Sequence, residues 1–255
     1  MTLLEAGLLF LAAVAGGALN SVAGGGSFLT FPTLLFTGVS PIIANATSTM
    51  ALWPGSLASV GAYRKDVRAY RHYLVPFSIA SLVGGYLGAR ILLRTSDGDF
   101  RALVPWLILV ATLVFAFGGQ IVSRIRKQGA AERPTSRGAV IGATVVQLVI
   151  STYGGFFGGG MGILMLATFT ILGMREIHAM NGMKNWLAAC INGIAVFTFV
   201  AAGAVLWPQA VVMLGGAILG GYGGASLAKK IDPMYVRRFV IALGLGLSAY
   251  FFISG

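Results

Sequence analysis

Two short polar stretches interrupt an otherwise apolar chain, and each lies a little way after a glycine triplet. The first is ANATSTM, residues 44–50, with Asn45, Thr47, Ser48 and Thr49. The second is MNGMKNW, residues 180–186, with Asn181, Lys184 and Asn185. Hydroxyls, amides and an ammonium group all donate hydrogen bonds and carry no negative charge. Each stretch opens an apolar run, so free helix-start N–H groups and the positive end of a helix dipole are expected beside them. That combination suits a small oxyanion. The triplets Gly24-Gly25-Gly26, followed by Ser27, and Gly158-Gly159-Gly160 would bring backbone N–H groups to the same place. From this reasoning the candidate binding set is Gly25, Gly26, Ser27, Asn45, Thr47, Ser48, Thr49, Gly159, Gly160, Asn181, Lys184 and Asn185. The competing reading is that the polar groups only cap helices and bond between them.

Lys184 is the most specific of these residues. It sits inside an apolar run, in GMREIHAMNGMKNWLAAC, with no carboxylate one turn away. A cation at membrane depth is costly and marks a functional site by default, here as the counter-charge of an anion. The alternative is a long stem that snorkels to the interface. In the first half its counterpart is Ser48 or Thr49, so only one half would supply charge.

The elements that must position these groups are apolar runs at about 3–22, 27–38, 42–62, 73–93, 102–122, 138–157, 161–173, 182–204, 207–228 and 235–254. The chain of 255 residues is 57% hydrophobic and 10% charged, a balance that excludes an ordinary soluble domain. The expectation is an all-α polytopic membrane protein. After each triplet comes an apolar run of only about a dozen residues. Such a helix rises roughly 16–18 Å against a hydrocarbon core of ~30 Å. Each triplet therefore reads as a break at membrane depth, tolerated only where protein or a water-filled cavity covers the exposed backbone.

The runs repeat with a shift near 135 residues. The two triplets superpose, Gly38 meets Gly173, GGYLGA (84–89) meets GGYGGA (220–225), Asn45 meets Asn181 and Asp97 meets Asp232. Several matches in order indicate duplication. The halves are residues 1–122 and 138–255, joined by a basic linker at 123–137. If each half is four spans, Lys and Arg divide almost evenly between the two faces, and no orientation follows. If the short pieces count as separate segments, one face collects fourteen and the other keeps Arg90, Arg94 and Arg101. That bias is the one a real topology shows, and an odd number of segments per half makes the repeats inverted. About eight full spans and two broken or re-entrant segments result, with the linker cytoplasmic. The plainer alternative is a set of ordinary spans kinked at the triplets.

Other chemistry is thinly represented. The net charge of +11 falls in short connections, as topogenic charge does, without a basic stripe for nucleic acid. The carboxylates Asp66, Asp97, Asp99, Glu132, Glu176 and Asp232 fall in loops, and Glu5 near a membrane edge, so no proton or sodium relay is legible. His72 and His178 read as interfacial. Cys190 is a single cysteine and reads as a packing residue. No metal spacing or nucleophile elbow occurs, so neither an enzyme nor a cofactor is expected. The N-terminal run carries Glu5 and no basic flank, and reads as a retained span.

The segments AGGGSFLTFPTLLFTG, ANATSTMALWPGSLAS, YRKD and GGYLGARI resemble the TauE/SafE sulfite exporter family, in order and over nearly the whole chain. That resemblance implies a multi-pass permease of a bacterial-type inner membrane, moving small sulfur anions such as sulfite or organosulfonates. It also places the substrate at the polar residues after each glycine-rich segment. The second half departs from the first: Gly162 stands for Ser27, Ala167 for Pro32 and MNGMKN for ANATST. A passive anion channel on the same scaffold is the runner-up, and a non-transporting membrane receptor the third reading. Homodimerisation is compatible with the sequence.

Overall fold

A computed structural model describes residues 1–23, 25–63, 71–127, 137–174, 176–227 and 233–254. Gly24, Arg175, most of the basic YRKD loop with Asp66, the linker core with Glu132, and Lys229, Lys230 and Asp232 lie outside the described residues, as do the side chains of His72 and His178.

Among the described residues the chain is all helix. The ten helices are α1 (Leu3–Ala23), α2 (Ser27–Phe36), α3 (Pro41–Tyr63), α4 (Arg71–Arg94), α5 (Asp97–Lys127), α6 (Arg137–Phe156), α7 (Met161–Ile171), α8 (Ile177–Ala201), α9 (Trp207–Leu227) and α10 (Pro233–Ser254). Five of them, α1, α4, α5, α6 and α8, are long and apolar enough to cross a membrane. α3, α9 and α10 have 23, 21 and 22 residues. The short pieces α2 and α7 have 10 and 11.

Local chemistry sets the ends. Thr2 and Glu5 form a reciprocal cap on α1, through Thr2 N–H to Glu5 Oε2 at 2.8 Å and Glu5 N–H to Thr2 Oγ1 at 3.2 Å. Ser96 Oγ accepts the Asp99 N–H at 3.1 Å and so starts α5 earlier than its apolar run. At its other end α5 continues through residues 123–127, which the sequence pattern assigns to the linker. α2 and α7 stop in the same way. Gly38 and Gly173 take φ +80° and +82°, and the next residue's N–H reaches back to Leu34 O at 3.2 Å and Phe169 O at 3.0 Å.

Glycines bring the long helices into backbone contact. α1 packs on α9, where Gly17 faces the Ala217 backbone and Gly220 faces the Val14 carbonyl. α4 packs on α6, where Gly88 faces the Thr152 carbonyl and Gly155 faces Gly85. Lipid gives no hydrophobic driving force between helices, so such close approach supplies dispersion contact that helps hold the bundle. α3 and α8 cross in the middle, and α5 packs on α10.

The short helices run to opposite ends of this bundle. Phe31 of α2 meets Phe100 in the first turn of α5, and Phe36 meets Tyr250 and Phe251 near the end of α10. Phe169 of α7 instead stacks on Phe77, near the start of α4. The start of α4 and the start of α5 are separated by the length of α4.

Candidate functional site

Both glycine breaks abut the middle of α5, a helix of 31 residues. A methyl on Gly25 would stand 3.6 Å from the Phe115 ring, and one on Gly159 would stand 3.0 Å from Ala111 Cβ. One on Gly160 would stand 3.4 Å from both Ala111 O and Val114 Cγ1. Two breaks remote in sequence thus share one depth. Ser27, Phe31, Pro32, Ile108, Phe157 and Gly159 enclose a small void of about 10 Å³ between them. That is about the room one water needs.

The breaks are built differently. Gly26 keeps right-handed dihedrals, φ −57° and ψ −34°, and has no room for a side chain: a methyl would lie 2.6 Å from Gly16 O. Gly158 and Gly160 have φ +83° and +76°, the left-handed region that glycine occupies without strain. Tyr153 closes the second break by donating its hydroxyl hydrogen to Gly159 O at 2.6 Å. Neither Gly159 N–H nor Gly160 N–H has an acceptor among the described residues.

The candidate residues of the first half divide by what they touch. Ser48 is buried and shares a 2.7 Å hydrogen bond with Thr30 Oγ1, and Thr30 also approaches Gly26 O at 3.2 Å. Asn45 donates from Nδ2 to Phe156 O at 3.0 Å, so a first-half side chain finishes the last turn before the second break. Thr47 accepts the Leu206 N–H at 3.1 Å, just ahead of α9. Thr49 donates to Asn45 O at 2.8 Å, within its own helix. Thr47 and Thr49 are therefore committed to helix ends and backbone. Ser27 is half-buried on the void and bonds to no described residue.

In the second half Lys184 Nζ donates to Asn181 Oδ1 at 3.2 Å. The lysine stem lies over Gly162, where a methyl would be 3.1 Å from Cδ. The glycine that stands for Ser27 is thus the space that admits the lysine to the first turn of α7. Asn185 is half-buried, without a hydrogen bond to a described residue. Thr30–Ser48 and Lys184–Asn181 are separate pairs.

One feature of the sequence expectation changes. α8 begins at Ile177, five residues before its apolar run, and α3 begins at Pro41. Asn45, Asn181 and Lys184 therefore lie a full turn or more inside their helices, where the backbone N–H groups are already bonded. The helix starts that face the middle of α5 are those of α2 and α7. Glu176 itself stays outside α8, as its N-cap residue. Thr30 and Tyr153 were missed because a hydroxyl in an apolar helix ordinarily bonds its own previous turn, and Thr30 does that as well.

Residues 9–251 match the family described as Sulfite exporter TauE/SafE. The chain belongs to the TauE/SafE family. Among similar family members, a "Probable membrane transporter protein" of Haemophilus influenzae is 28% identical over 245 residues, covering 95% of this chain and 92% of that one. The "Probable membrane transporter protein YfcA" of Escherichia coli is 26% identical, covering 95% and 88%. "Probable membrane transporter protein YunE" of Bacillus subtilis is 24% identical, covering 86% and 85%. No solved structure matches the chain. The protein is a membrane transporter of the TauE/SafE family, and these names describe transport rather than catalysis.

Proposed function

We propose that this chain is a secondary carrier of small sulfur oxyanions, with its binding site at mid-membrane between the two glycine breaks. The observation that carries the reading is the meeting of both breaks against the middle of α5, with the Lys184 stem on the first turn of α7. Half-helix N-termini aimed at a shared depth give partial positive charge, the lysine adds a full one, and the protein covers the broken backbone from lipid. Gly159, Gly160 and Ser27 supply donors that have no acceptor among the described residues, Ser48 reaches the first break through Thr30, Asn181 the second through Lys184, and Asn185 follows on the same helix.

Alternating access between two inverted repeats, 1–122 and 138–255, is the movement this architecture suits. Its support is the exchange of packing partners. With α1 to α5 taken as counterparts of α6 to α10, the α1–α9 contact becomes α6–α4, and α3–α9 becomes α8–α4. The α3–α8 and α5–α10 contacts map onto themselves. The identical glycine stops of α2 and α7, and their opposite directions, fit the same operation. About eight spans and a cytoplasmic 123–137 linker follow from the charge bias of fourteen against three, and an inner membrane from the resemblance to the family.

The test is thermal stabilisation of the purified protein by sulfite, sulfate, thiosulfate and small sulfonates, followed by counterflow in proteoliposomes. Stabilisation by at least one of these anions, and saturable flux with counterflow, are expected. The absence of stabilisation by all four classes would end the reading. Single-channel currents would replace the carrier with a channel.

A further inference from the structure

A second, larger space lies on the same face of α5. Between the end of α2, the start of α5 and the end of α10 is an open vestibule of about 210 Å³, lined by Phe36, Val39, Arg101, Val104 and Phe251 among others. Arg101 is its cation, and no described carboxylate pairs with it. The two nearby acids are occupied elsewhere: Asp97 Oδ1 accepts the Ile42 N–H at 3.4 Å, and Asp99 Oδ2 accepts the Ser96 hydroxyl at 2.6 Å.

Val104 lines the vestibule and Ile108, one helical turn deeper on α5, lines the central void with Ser27 and Gly159. α2 borders both spaces, at opposite ends of its length. What separates them is aromatic. Phe31 of α2 is 1% exposed and meets Phe100 and Phe157 edge to face, with ring centres 6.4 and 5.7 Å away. Phe157 is the residue before the second glycine triplet, so the ring cluster joins the two breaks.

We infer that the Arg101 vestibule is an anchoring site for a small oxyanion on its route to or from the central site, and that Phe31 is the door between them. This rests on the carrier reading above. The linings of the two spaces lie one helical turn apart on both helices, Leu35 and Phe31 on α2 and Val104 and Ile108 on α5, and rotation or withdrawal of the Phe31 ring joins them.

The test uses the full-length protein in lipid nanodiscs with Cys190→Ser as background, and cysteine reporters at Val39 and Ile108. The probe is a charged, membrane-impermeant methanethiosulfonate. Val39→Cys is expected to react at least tenfold faster than Ile108→Cys. Adding Phe31→Ala is expected to bring Ile108→Cys within about threefold of Val39→Cys. Should Phe31→Ala elute as aggregate, Phe31→Leu gives the same reading with a smaller opening. Inorganic sulfate is expected to slow an anionic reagent at Val39→Cys several-fold, and to lose that effect with Arg101→Gln. Equal reactivity of the two reporters, or an Ile108→Cys rate indifferent to Phe31, overturns the door. Sulfate protection that is absent, or that survives Arg101→Gln, overturns the anchoring site. Reporter rates need no transport, so a protein stabilised by anions yet indifferent to Phe31 loses this inference and keeps its carrier assignment.

Discussion

At the first break, Gly26 has ordinary right-handed geometry and α1 leaves no space for a side chain; at the second, Gly158 and Gly160 are left-handed and the space beside Gly160 is looser. The donors differ in the same sense. The first break faces a neutral hydroxyl pair, Thr30 and Ser48, whereas the second carries Lys184 laid across Gly162. One sequence motif thus answers two physical demands, close approach in one half and backbone handedness in the other. The two breaks share a glycine triplet and differ in the chemistry beside it, with a lysine at the second only.

Several substitutions would break or sharpen that contrast. The largest effect expected is on anion binding. Lys184→Gln should weaken it about 30-fold or more, roughly 2 kcal/mol, while Ser48→Ala should cost only about threefold. Titration of both variants with the best-stabilising anion measures this, and equal losses would erase the asymmetry.

Next come the glycines themselves. Gly26→Ala should destabilise by about 2 kcal/mol through overpacking against Gly16 O, and Gly26→Asn should be no better. Gly160→Ala should cost about 1–2 kcal/mol from its left-handed backbone. Gly160→Asn should be milder than Gly160→Val, because asparagine tolerates that region and a β-branched residue does not. Melting temperatures of these five variants in one detergent decide the matter. If asparagine ranks the same at both sites, the two breaks are not distinct.

The smallest effect expected is that of Tyr153→Phe, about 1 kcal/mol, from loss of the hydroxyl that closes Gly159 O. It should lower the melting temperature and leave the response to Ser48→Ala unchanged. A variant as stable as the parent would show that water takes over the carbonyl.

Much of the helical layout was legible because its signals are local. Gly38 and Gly173 stop α2 and α7, and a run of a dozen apolar residues between a triplet and such a stop reads as a short helix of its own. The start of α8 was less legible, since His178, Asn181 and Gly182 interrupt its apolar pattern, although Met180 N–H already bonds Glu176 O at 2.9 Å. The site was legible as a set of residue types and less so as a set of partners. Thr47 and Ser48 are adjacent and chemically alike, yet one is tied to the start of α9 and the other to Thr30. Nothing in the triplet Thr47-Ser48-Thr49 distinguishes them, because successive residues of a helix point about 100° apart and only the neighbours decide what each meets.

By itself the sequence determined that the chain is helical and membrane-embedded, that it breaks twice at glycine, and that a lysine stands inside an apolar run of the second half. These depend on apolar length, backbone freedom and composition, which act within a turn or two. Only the tertiary structure decided that both breaks abut the middle of α5, that Asn45 finishes α6 across 111 residues, and that Lys184 lies in the gap left by Gly162. Those contacts join segments far apart in the chain, and helix packing fixes them through the shapes of facing surfaces that no local pattern encodes.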